Sequence, residues 1–255
     1  MATTGAFAQS SVTLFGTVDA GVQNVKQNNV SKTQLTSSGN ASSALGFKGT
    51  EDLGGGMTAS FHLESGLTND NGSTAFNFAR RSTLDLAGNF GAVRLGRDYT
   101  PTFWNHTVFD PFGTLGSGAG SNITGKGQNA TTAARTNNGV SYLYGFAPNA
   151  ASAQGSGVYA QLTHAFAENT TGTTKTNQYQ GVRVGYANGP LNVAVAAGNV
   201  VTGVYKDKEM NVGASYDLGM ANVMAKFGTN TVGGATDLKY TWTSIGAKVP
   251  LGNGY

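Results

Sequence analysis

The sequence predicts an all-β protein, an antiparallel up-and-down transmembrane β-barrel, and three observations carry that reading. Apolar and polar residues alternate with period two along most of the chain, as in strands whose two faces meet different surroundings. Short turns alternate with long polar connections, as when one rim of a barrel carries tight turns and the other extended loops. Charged residues make up only 11% of the 255, against roughly 25% in ordinary soluble domains. No run of about 18 apolar residues is present that could form a membrane helix. A soluble β-sandwich would also alternate, but its Greek-key connections need not alternate in length.

Taken in order, strands are read at 11–25, 42–51, 57–67, 77–88, 91–99, 138–146, 157–167, 178–188, 190–199, 209–218, 221–229 and 238–249. In the first, Val12, Leu14, Val18, Ala20 and Val22 oppose Thr13, Thr17, Asp19 and Gln23. In the third, Met57, Ala59, Phe61 and Leu63 oppose Thr58, Ser60, His62 and Glu64. Val182, Val184 and Tyr186 oppose Gly181, Arg183 and Gly185, and Met210, Val212, Ala214 and Tyr216 oppose Asn211, Gly213, Ser215 and Asp217. Turn chemistry marks the tight connections "EDLGGG" (51–56), "GNFG" (88–91), "NGP" (188–190) and "DLGM" (217–220). The long connections are 26–41, 68–76, 101–136, 168–177, 199–208 and 229–237.

The ends carry expectations of their own. Ala6-Phe7-Ala8 has the small-x-small form of a signal-peptidase site, so 1–8 reads as the remnant of a signal peptide. The closing "PLGNGY" reads as the start of another hairpin, so the barrel of 9–255 is expected to be incomplete, its first strand lacking a closing partner. There is no cysteine, hence no disulfide framework and no thiolate metal site. A net charge of +3 is too small and too scattered for a nucleic-acid partner.

Several segments resemble the trimeric general porins of β-proteobacterial outer membranes: "QSSVTLFGTVDAGV" (9–22), "LGFKGTEDLGGGMTASFHLESG" (45–66), "FNFARRSTLDLAGNFGAVRLGRDYTP" (76–101), "RTNNGVSY" (135–142) and "GYANGPLNVAVAAG" (185–198). The resemblance implies a barrel of about sixteen strands, of which about twelve are present here. It further implies three barrels per assembly in outer-membrane lipid, and passive diffusion of small hydrophilic solutes. A long third loop would fold into the lumen as a constriction, here 101–136. Residue by residue, it implies constriction roles for Arg80 in "RRS", Arg135 in "RTNN" and Arg97 in "LGR". Asp110, the only carboxylate between Asp98 and Glu168, would form the acidic side. Where the family often has an arginine before "LGFKG", this chain has Ala44, so anion preference should be weak.

Alternation or resemblance adds Asp19, Lys48, His62, Glu64 and Arg183 as pore-lining residues. Basic side chains facing a carboxylate across a narrow channel set up a transverse field that favours anions. Other chemistries have less support. His62 and Glu64 share a face but lack a third metal ligand at recognisable spacing. His106 and Asp110 could serve acid–base chemistry, yet no motif fixes a nucleophile beside them. "GSNITGKG" (120–127) misses the phosphate-loop hydroxyl at Gly127 and lacks a βαβ setting. Tyr142, Tyr144, Phe146, Tyr240 and Trp242 fall near strand ends, where aromatic girdles lie. Neither an enzymatic activity nor a cofactor is expected. Two rival readings remain at this point: a plugged barrel whose loops serve adhesion or surface recognition, and a secreted soluble β-protein.

Arg80 and Arg81 pose the sharpest question, because strand neighbours point to opposite faces. Alternation alone turns Arg81, Thr83 and Asp85 inward. The resemblance turns Arg80 inward, which leaves Arg81, Thr83 and Asp85 for a subunit interface unless a bulge separates the two arginines.

Overall fold

The computed structural model describes residues 11–73, 76–113, 115–116, 118–120, 134–147, 154–168 and 175–252. The Ala6-Phe7-Ala8 motif and most of the phosphate-loop-like segment lie outside them. Twelve strands form one antiparallel sheet, in the order β1 (Ser11–Thr17), β4 (Ala44–Gly54), β5 (Met57–Gly66), β6 (Arg81–Gly88), β7 (Gly91–Tyr99), β8 (Arg135–Tyr144), β9 (Gly157–Ala165), β10 (Lys175–Asn188), β11 (Leu191–Gly203), β12 (Tyr205–Asp217), β13 (Asn222–Val232) and β14 (Leu238–Lys248). A separate hairpin, β2 (Ala20–Gln27) with β3 (Val30–Ser37), stands between β1 and β4. The only described helix, α1 (Pro101–Val108), follows β7.

The two faces of the sheet are inverted relative to a soluble protein. Directly paired residues on neighbouring antiparallel strands share a face, so the registers trace each face around the sheet. One face carries Leu84, Leu95, Val140 and Leu162, then Val182, Ala197 and Met210, all paired in sequence across strands or one step along them. Leu162 is 49% exposed, Val212 46% and Ile245 82%. The opposite face is polar and buried: Ser60, His62, Thr83, Asp85, Arg94, Ser141, Gln161, Thr163, Arg183, Asn211 and Lys226. An apolar patch of this extent on the outside has one solvent that suits it, hydrocarbon. No described helix is long and apolar enough to cross a membrane; the strands carry the apolar surface.

α1 packs on the polar face, against β9–β12. Thr100 caps it, its Oγ1 accepting the Phe103 N–H at 3.2 Å, and Pro101 occupies the first turn, where a missing N–H costs nothing. Beyond the helix, Phe109 joins Tyr159, Ala187 and Ala194 in a small apolar cluster. Gly213 makes this possible, since a Cβ there would collide with the Phe109 ring. The part of 101–136 that is described therefore lies against the inner face.

Some boundaries differ from the sequence reading. The strand read at 11–25 breaks after Thr17, where the chain leaves the sheet into the β2–β3 hairpin. The long loop read at 199–208 is strand instead: β11 and β12 continue pairing to Thr202 and Tyr205, with the turn at Gly203. Val200, Val201, Thr202 and Tyr205 are all good strand formers, which extends the ladder. Asp19, expected to line the pore, sits between β1 and β2 and accepts the backbone N–H groups of Gly39, Asn40 and Ala41.

Those N–H groups, Ala41 and Asn40 foremost, hold the Asp19 carboxyl below the usual aspartate range. A group with a lowered folded pKa stabilises the fold above its unfolded pKa and loses that contribution as pH falls through the folded value. The protection factors of the Asn40 and Ala41 amides, relative to intrinsic exchange at each pH, should therefore fall on acidification to below the ordinary aspartate range, and Asp19→Asn should bring the low protection to neutral pH. Unchanged protection in Asp19→Asn would refute the anchor.

Candidate functional site

The inner face carries two charged clusters. The first joins β4–β8. Arg94 forms a bidentate pair with Asp85, at 2.8 and 2.7 Å, and reaches Asp98 at 2.7 Å with its remaining nitrogen. Arg81 lies 3.6 Å from Asp98 and 3.3 Å from His62, whose ring in turn meets Glu64 at 3.3 Å. Arg80 closes on the other oxygen of Glu64. Arg135 stacks over the Tyr99 ring at 4.0 Å, bonds the Tyr99 hydroxyl, and donates from Nε to the Arg80 carbonyl at 2.8 Å. Tyr99 itself stacks on Phe103 of α1. Lys48 is paired in register with His62 and rests near the Phe15 ring.

The second cluster fastens the loop. Lys226 bonds Asp110 at 2.6 Å and the His106 carbonyl at 3.1 Å, with Trp242 standing edge-on to His106. Asn105 donates to Asn211 Oδ1 at 2.7 Å and accepts from Arg183 Nε at 3.0 Å. Arg183 also reaches the Tyr159 hydroxyl and faces its ring.

Set against the sequence reading, the arrangement brings Arg80, Arg135 and Glu64 together and corrects the placement of seven residues. Arg81, Thr83 and Asp85 turn to the inner face and are buried there, so none is available to a neighbouring subunit. The reason is that β6 starts at Arg81: Arg80 precedes the ladder and escapes its alternation, so both arginines reach the inner side. Asp110 is 2% exposed and neutralised by Lys226, which makes it an anchor of the loop instead of a free carboxylate. Arg183 is fully buried beneath α1 and holds the helix. Arg97 pairs with Ser82 on the alternate face, bonding the Ala79 carbonyl at 2.6 Å and Asn137. Trp242, read as a girdle aromatic, points inward as well; Tyr142 is exposed on the outer face.

Three important residues went unremarked in the sequence: Arg94, Asp98 and Lys226. Two had a legible signal, since Val93-Arg94-Leu95 and Ala225-Lys226-Phe227 each place one charge between outward apolar residues. Among the described residues no cluster of three or more metal-ligating side chains occurs.

Arg94→Ala would leave Asp85 and Asp98 buried without their main counter-charge. That loss should destabilise the folded chain by about 3–5 kcal/mol, read as a lowered denaturant midpoint in detergent. A change below about 1 kcal/mol would show that water, and not Arg94, carries the two carboxylates.

The model of the Gram-negative porin family matches residues 1–255. An outer membrane porin of Delftia acidovorans (protein 32) is 40% identical over 97% of this chain and 72% of its own length. An outer membrane porin of Bordetella pertussis is 29% identical, over 89% of this chain and 66% of its own length. Among solved structures, an anion-selective porin from Comamonas acidovorans superposes with a TM-score of 0.81 at 36% identity, covering 96% of this chain and 75% of the other. The inverted sheet, the helix on its inner face and these matches agree: this chain belongs to the Gram-negative porin family.

Proposed function

We propose that the chain forms the wall of an outer-membrane general diffusion channel, passing ions and small hydrophilic solutes with a weak preference for anions. The observation that carries this reading is the polarity inversion: an exposed apolar outer face encloses a polar inner face lined with cationic groups. Within that face most charges are neutralised by buried partners. Arg80, Arg135 and Lys48 are only partly buried, cations whose field can reach a passing solute. Glu64 offsets part of that field from beside Arg80.

Ala44 supports a weak preference. It pairs in register with Gly66, where an added Cβ would come into ordinary contact with the Arg80 side chain. A cation at position 44 would adjoin Arg80, and alanine leaves the cluster without it. The solved structure of an anion-selective porin from Comamonas acidovorans points the same way. The homotrimer is the assembly that the family resemblance implies. The inner face supplies positioning and charge, with no need of a reaction step or a bound cofactor.

Reversal potentials across planar bilayers under a potassium chloride gradient test the reading. Arg80→Ala and Arg135→Ala should each lower the chloride-to-potassium permeability ratio on the order of twofold to fivefold while conductance persists. Absence of conductance in the parent chain, or an unchanged ratio in both variants, would contradict it.

A further inference from the structure

The loop helix carries an aromatic ridge on the side away from the strands it packs against. Pro101, Thr102, Asn105 and His106 of α1 are buried, and Phe103, Trp104 and Thr107 are half-buried. That division follows the helical period, which puts 101, 102, 105 and 106 on one side and 103, 104 and 107 on the other. The side opposite the packing face of a helix is ordinarily polar. Here two of its three residues are large aromatic rings, set on the inner face of the sheet.

Tyr99 joins these rings to the basic cluster. Phe103 stacks on it with ring centres 4.9 Å apart and planes 7° from parallel, and Trp104 meets it edge-on at 4.7 Å. Arg135 lies over the same ring, 4.0 Å from its centre. The Tyr99 hydroxyl accepts from Arg135 and, at 3.5 Å, from Arg80. One tyrosine thus holds two guanidinium groups beside two aromatic rings.

The charge of this neighbourhood is set by the arginines. Arg135 donates to the Arg80 carbonyl and the Tyr99 hydroxyl, and among the described residues no carboxylate pairs with it. The described part of the loop has a single carboxylate, Asp110, and that group is bonded to Lys226. Aromatic rings alone would suit a cation, through attraction to their faces; the guanidinium groups fix the sign of the solute as negative. A carboxylate seated on Arg135 leaves a ring attached to it within reach of Phe103 and Trp104, because all three side chains contact Tyr99. An aliphatic acid would satisfy the arginine and make poorer use of the rings.

We infer that Arg80, Arg135, Phe103 and Trp104 form a subsite for an aromatic carboxylate. Its carboxylate bonds the guanidinium groups, and its ring packs against Phe103 and Trp104 in stacked or edge-on contact. The inference rests on the diffusion-channel reading above and adds to it a class of solute.

Benzoate and cyclohexanecarboxylate, each added to parent channels carrying a chloride current in planar bilayers, read this subsite. The two acids share their charge and nearly their size, and only benzoate has a flat aromatic ring. Benzoate should halve the current at about a threefold to tenfold lower concentration. The combined variant Phe103→Leu and Trp104→Leu should abolish that difference, and Phe103→Tyr with Trp104→Phe should retain it. Arg135→Ala should weaken the effect of both acids. Equal potency of the two acids on a conducting parent, a difference that survives in the leucine variant, or undiminished block by benzoate in Arg135→Ala would each overturn the subsite and leave the channel standing. A parent that carries no current overturns the channel, and the subsite with it.

Discussion

A polar face enclosed by an apolar one cannot hold unpaired charge, because burying an ion without a counter-ion costs several kcal/mol or more. The inner face of this sheet is organised by that requirement. Arg94 is clamped between Asp85 and Asp98, Lys226 sits on Asp110, and Arg183 is held by Asn105 and Tyr159. The carboxylates neutralise Arg94 and Lys226, hydrogen bonds hold the Arg183 guanidinium, and together these contacts tie strands and loop together. Arg80, Arg135, Lys48 and Glu64 are only half-buried on the same face, and the field proposed to act on a solute draws on these groups.

The loop after β7 follows from the same constraint. A helix can lie on a strand surface only where side chains beneath it are small or complementary. Gly213 receives Phe109, Asn211 bonds Asn105, and Lys226 reaches both His106 and Asp110. Asp110 therefore acts on the channel indirectly, by fixing where α1 and the aromatic group of Tyr99 and Phe103 stand. Arg135 rests on that same Tyr99 ring, so the position of this cation depends on the packing of the loop.

How much of this was legible in the sequence depended on the range of the interaction. Period-two alternation is local, and it identified most strands and their outward faces. Where a strand begins is less local: nothing within "NFARRSTLDLAG" says that pairing starts at Arg81, and that single boundary decides the direction of both arginines. The helix at 101–108 had a visible cap in Thr100 and Pro101, but the polar, low-complexity connection around it masked the signal. The pairing of Asp110 with Lys226 joins residues 116 positions apart, so no spacing rule reaches it. Without that pairing in view, the sequence reading made Asp110 the free acidic side of the constriction on the inward loop.

The central claim is that the face bearing Val184, Val195 and Val212 meets hydrocarbon while its alternate face meets a polar interior. The chain contains no cysteine, so single-cysteine variants can carry a spin label at one position each. In lipid vesicles, labels at Val212→Cys and at Thr163→Cys report contact with dissolved oxygen, which concentrates in lipid, and with a water-soluble nickel chelate. The account predicts strong oxygen and weak chelate contact at position 212, and no lipid contact at position 163. Chelate contact at 212, or lipid contact at 163, would contradict it.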